Sequence, residues 1–137
     1  MFAVEVDILI YGTGRSGICN TLVSNVDIPP TIVHLFGLDP IENFEGHSLL
    51  PLEDYPEKGV FGEAIDQHSK QGGDIDKDIY FYREKDLKII YRANLDSWEM
   101  YDLKADPKEL SNIVDTSPIA AELKSKLKPR VRRWLNT

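Results

Sequence analysis

The sequence predicts a chain of two parts. Residues 1–58 read as an α/β tail of one sheet strand plus a helix. Residues 59–137 read as an α+β subdomain, a roughly four-stranded antiparallel sheet packed by a C-terminal helix. Three observations carry this. Residues 6–11 (VDILIY) form a near-continuous apolar run, as in a strand buried on both faces. Residues 59–103 hold several short apolar or alternating runs separated by turn formers. Ile119, Leu123, Leu127, Val131 and Leu135 recur every four residues, an amphipathic stripe that needs a sheet to cover.

The elements follow in order. After residues 6–11 comes Gly12-Thr13-Gly14-Arg15-Ser16-Gly17, which matches the G-x-G-x-x-G of dinucleotide-binding turns. The context does not continue it: Pro29-Pro30 sits poorly in the helix such a turn requires, and no second βαβ unit appears, so a plain loop is the better reading. Residues 24–36 read as a helix capped by Ser24 or Asn25, with Asp27 in the first turn and Gly37 as the stop. Its expected core face is Ile28, Ile32, Leu35 and Phe36, with His34 at the surface. Residues 39–58 are an acidic loop punctuated by Pro40, Pro51 and Pro56. Its carboxylates lack the spacing of an EF-hand and read as a solvated surface.

Residues 59–65 (GVFGEAI), 79–83 (IYFYR) and 87–91 (LKIIY) read as strands, and Trp98, Met100 and Leu103 alternate with Glu99 and Asp102 in a fourth. Asn94, Asp96 and Ser97 form the turn of the last hairpin. Asp106-Pro107-Lys108-Glu109 has the residues of a helix start: a cap, a first-position proline and an acid that reaches back. Ser117-Pro118 is expected to open the final helix and Pro129 to kink it. Lys124, Lys126, Lys128, Arg130, Arg132 and Arg133 crowd its end, read as a solvated face complementing the helix dipole rather than a nucleic-acid patch.

Composition narrows the function classes. The formal charge of −7 opposes generic binding to nucleic acid or anionic membrane, and one cysteine, Cys19, makes no internal disulfide. No run of about 18 apolar residues suggests a membrane span. The first eleven residues carry Glu5 and Asp7 and no basic start, unlike a signal peptide; the compartment is left open. His68 lies near Asp66 and Glu63, but no second His or Cys has ligand spacing, so no metal site is expected.

Three motifs together resemble one family. They are Val23-Ser24-Asn25-Val26-Asp27-Ile28-Pro29-Pro30-Thr31-Ile32, Gly46-His47-Ser48-Leu49-Leu50-Pro51-Leu52, and Lys88-Ile89-Ile90 followed by Glu99-Met100-Tyr101-Asp102-Leu103, Asp106-Pro107, Glu109 and Asn112-Ile113. In this order they resemble the last third of the sulfatases, in the alkaline-phosphatase-like superfamily. The resemblance implies hydrolysis of sulfate esters at a divalent metal, usually calcium, beside a formylglycine made from the Cys or Ser of a C/S-x-P-x-R motif. Cys19, in Cys19-Asn20-Thr21-Leu22-Val23, lacks that Pro and Arg, and the metal-binding Asp and Asn set is missing. Catalytic residues and cofactors are therefore expected only in a full-length homologue, and the chain alone is expected to be inactive.

The resemblance further implies that the C-terminal subdomain borders the cleft for a sulfated small molecule or glycan. Arg83 and Lys88 on strands, and His47 and His68 in loops, are then the candidate rim residues. The alternatives are a non-enzymatic binding module and the tail of a related phosphonate or phosphodiester hydrolase. The strand at 6–11 would present a sheet edge through which the chain forms a homo-oligomer or docks on a catalytic half.

Overall fold

A computed structural model describes residues 21–65 and 77–132, and the chain divides in sequence between Lys58 and Gly59 into two compact units. The expected strand at 6–11 with its docking edge, the glycine loop, Cys19, Asp66, His68, Arg133, Trp134 and Leu135 lie outside the described residues.

The first unit is built on α1 (Ile28–Leu35), entered through a short 3₁₀ turn, Asn25–Asp27. Ser24 is extended, and its amide donates to Asp27 Oδ2 at 2.7 Å, so an acid three residues on satisfies the helix entrance. Pro29 and Pro30 fall in the first turn, where amides have no partner inside the helix. The helix ends in a Schellman motif. Gly37 takes φ +64°, its amide donates to the His34 carbonyl at 3.0 Å, and Leu38 donates to Val33 at 3.1 Å. The expected core face is a correction: Ile32 is 47% and Phe36 76% exposed, and Ile28 and Leu35 are likewise open. A stripe of helical spacing declares what a helix can bury, not whether a partner surface covers it.

The second unit is an antiparallel meander, β1 (Val60–Ala64), β2 (Ile79–Glu84), β3 (Leu87–Arg92) and β4 (Ser97–Asp102), with strand order equal to chain order. β-Branched and aromatic residues suit the pleat, and left-handed Lys85 and Asp96 help turn the hairpins. One sheet face carries Tyr80, Tyr82, Ile89, Tyr91 and Met100. Across it lies α2 (Ala120–Leu127), with Leu123 and Leu127, followed by Val131. These form the core; Ile89, Tyr91, Met100, Leu123 and Val131 have no exposure.

Two helix boundaries differ from expectation. Residues 106–112 form turns, not a helix. Asp106 Oδ2 accepts the Ser111 amide at 2.8 Å, Glu109 is left-handed at φ 55°, and its carboxylate goes to Lys88 instead of back to Asp106. The chain then runs beside β4, where Asn112 Oδ1 accepts the Met100 amide at 2.9 Å and the Ile113 amide reaches the Met100 carbonyl at 2.9 Å. At the C-terminal side, α2 starts at Ala120, with Ser117-Pro118 in the preceding turn. Pro129 ends the helix and does not kink it: Lys128–Arg130 form a 3₁₀ turn, and Val131 is extended.

Candidate functional site

Asp27 is the centre of the first unit, with no exposed surface. Its carboxylate accepts from the Ser24 amide at 2.7 Å, the His47 amide at 2.9 Å, the Tyr55 hydroxyl at 2.6 Å and Lys58 Nζ at 2.6 Å. The Asp27 carbonyl receives Thr31 Oγ1, which in turn accepts the Leu49 amide at 2.9 Å. Gly46 lies so close to the Val26 carbonyl that a Cβ would sit 1.9 Å from its oxygen, so only glycine fits. Three ties thus hold the loop at 46–49 against the entrance of α1. Burial is the largest single influence on Asp27 and opposes its charge. Donation from Lys58, Tyr55 and the two amides together outweighs it, and the carboxyl is held below its ordinary range. Tyr55 is pushed the other way, by burial and by the adjoining carboxylate.

His47 sits on this loop with its ring exposed. Its Nδ1 lies 3.4 Å from Lys58 Nζ. Arg83 and Lys88 belong to the second unit and face each other directly across β2 and β3, on the sheet face away from α2. Lys88 Nζ bonds both Glu109 oxygens, at 2.7 and 3.0 Å, and its charge is balanced there. Arg83 donates through Nε to the Lys85 carbonyl at 3.2 Å. On the same face Arg92 grips Glu99 at 2.6 and 3.2 Å, and the Tyr101 hydroxyl joins Glu99 at 3.1 Å. Arg92 above all holds the Glu99 carboxyl below its usual range. The structure therefore brings Arg83 and Lys88 together and places His47 in the other unit.

Sequence reasoning missed Asp27, Tyr55 and Lys58 as a set. The Ser24-x-x-Asp27 spacing reports only the local half of the arrangement.

A second polar pair lies in a cavity of about 500 Å³ walled by Pro30, Val33, Leu38, Ile41 and Phe44. His34 Nδ1 is 2.9 Å from Ser48 Oγ. The Ser48 hydroxyl also lies 3.1 Å from the Leu50 carbonyl, and the Leu50 amide donates to Ser48 Oγ at 3.1 Å. Four basic residues of the C-terminal region are engaged within their own unit. Lys126 bonds Glu84 and Glu122, Arg132 reaches Asp78, Lys124 lies over Trp98, and Arg130 lies over Phe61.

Among the described residues no three His, Cys, Asp or Glu side chains gather as metal ligands. The two buried acids are unsuited to calcium as they stand: Asp27 is saturated by N–H, O–H and ammonium donors, and Asp78 is held by the Tyr80 hydroxyl at 2.8 Å and by Arg132. No helix among the described residues is long and apolar enough to cross a membrane.

Residues 11–136 match the family described as N-sulphoglucosamine sulphohydrolase, C-terminal. Among curated proteins, the chain is 28% identical over 128 residues to the N-acetylglucosamine-6-O-sulfatase of Bacteroides thetaiotaomicron, covering 80% of the chain and 21% of the relative. It is 29% identical over 107 residues to arylsulfatase K of Xenopus laevis, covering 72% and 20%. It thus spans about a fifth of these relatives. Among solved structures, one of a protein in complex with its substrate D-glucosamine-2-N,6-O-disulfate is 29% identical at TM-score 0.63, with 82% of this chain and 24% of that one covered. The phosphonate monoester hydrolase of Agrobacterium radiobacter, 23% identical at TM-score 0.61 with 79% and 24% covered, shares the fold.

Proposed function

Since the chain belongs to the N-sulphoglucosamine sulphohydrolase C-terminal family, we propose that it acts as the C-terminal part of a hydrolase for the sulfate esters of amino sugars. The observation that carries this reading is the family match across residues 11–136. The relatives it matches include an N-acetylglucosamine-6-O-sulfatase and a protein whose bound substrate is D-glucosamine-2-N,6-O-disulfate, which supports a sulfated glucosamine derivative as the substrate class. In this reading the nucleophile and divalent metal lie outside the chain, which supplies scaffold and rim.

One structural observation supports a part of this kind. The apolar stripe of α1 is open, as suits a helix that completes a larger core. Of the four rim candidates, Arg83 and His47 are preferred. Lys88 is already neutralised by Glu109, and His68 lies outside the described residues.

The test is sulfate release from glucosamine-6-sulfate and an aryl sulfate by the purified chain with calcium supplied, together with mass spectrometry of Cys19. No turnover and an unmodified thiol are expected, with chemical-shift changes at Arg83 or His47 on adding glucosamine-6-sulfate. Turnover by the chain alone, or binding at neither residue, defeats the reading.

A further inference from the structure

We infer that Lys58 is a positioning residue that holds the His47 imidazole in one tautomer, with Nδ1 as acceptor and the proton on Nε2. An ammonium has three donors and no acceptor. Whichever ring nitrogen meets it must therefore present a lone pair, and that nitrogen is Nδ1, 3.4 Å from Lys58 Nζ. Lys58 cannot readily turn away. It is anchored at 2.6 Å on the buried Asp27 carboxylate and lies 5.1 Å from the centre of the Tyr55 ring. The backbone of His47 is fixed from the same carboxylate, through its amide at 2.9 Å. One buried acid thereby orients both partners, the ammonium through one contact and the imidazole-bearing residue through another.

The consequence is a neutral N–H donor on the side of an exposed ring remote from Lys58. A ring fixed in this way offers a hydrogen bond to an oxygen acceptor without adding charge. That suits a sulfate-ester oxygen or a sugar hydroxyl, and this assignment of a ligand class rests on the function proposed above. Tautomer control by a neighbouring group is the usual means by which a histidine is committed to one role.

Nitrogen-detected NMR of the full labelled chain, at mildly alkaline pH, reads the tautomer directly. The expected result is a single Nε2–H form for His47, a mixture in Lys58→Met, and return to the single form in Lys58→Arg, which keeps a donor. A wild-type mixture resembling free imidazole, or a proton on Nδ1, overturns the proposal, as does a folded Lys58→Met with an unchanged spectrum. If Lys58→Met fails to fold, the wild-type spectrum and Lys58→Arg still decide. Because no turnover is measured, the result stands apart from the test of the proposed function.

Discussion

Replacing Asp27 with alanine removes the acceptor of four hydrogen bonds at once. Two of the donors are backbone amides, one is the hydroxyl of the buried Tyr55, and one is an ammonium 22% exposed. Lys58 can return to water. Tyr55 and the amides are left wanting partners, at about 1–3 kcal/mol for each buried group that stays unsatisfied. Partial relaxation keeps the total below the simple sum over these three groups, so the first unit should lose about 3–5 kcal/mol. Against a typical domain stability of about 5–15 kcal/mol, that is enough to loosen the unit.

The assay is hydrogen exchange at the His47 and Leu49 amides, which report this unit separately from the sheet. Both should lose protection by two or more orders of magnitude, at about 1.4 kcal/mol per factor of ten. The pH dependence has a definite sign. Folding lowers the Asp27 carboxyl below its ordinary range, so its contribution is present above the unfolded value, about 4, and is lost as pH falls through the folded value. Wild-type protection should therefore decline below about pH 4, and Asp27→Asn should flatten the decline. Unchanged exchange in Asp27→Ala, or an acid limb as steep in Asp27→Asn as in wild type, would refute the reasoning.

In the second unit, Leu123→Ala should cost about 2–5 kcal/mol in denaturant unfolding, because the side chain is fully buried in the core between α2 and the sheet; a loss under about 1 kcal/mol would mean that α2 is not seated as described. Tyr80 and Tyr82 are pushed up to about 12, by burial first and then by Asp78 and Glu84. Alkaline absorbance titration should show these two phenols ionising late, along with Tyr55 and Tyr101, which are also raised, with stability lost as pH climbs past the ordinary phenol value of about 10. All phenols titrating together near 10 would contradict this.

The strands of the meander were legible because each writes its own pattern. In LKIIY and in Trp98 to Leu103, β-branched or aromatic residues meet turn formers within a few positions. The start and stop of α1 were legible for the same reason, since capping and the Gly37 terminus are local. Asp106 to Glu109 misled because the same residues serve a helix entrance or a chain of turns. A distant partner, Lys88, decided between them by drawing Glu109 away. The site was legible only in part. His47 could be singled out through kinship, but the hydrogen-bond partners of Asp27 lie 20, 28 and 31 residues downstream, and no spacing rule links such positions. The open stripe of α1 shows the remaining limit: periodicity predicts a face, and only the fold shows what meets it.

The segment beside β4 closes one margin of the sheet. Outward-facing groups of that strand, the Trp98 carbonyl and both backbone groups of Met100, are taken by Asn112 and Ile113 of the same chain. An incoming strand would have to displace them before pairing. β1, at the other margin, has only β2 as a neighbouring strand among the described residues. Recruitment of a further strand is thus resisted at the β4 margin, where Asn112 and Ile113 already occupy the outward-facing backbone groups.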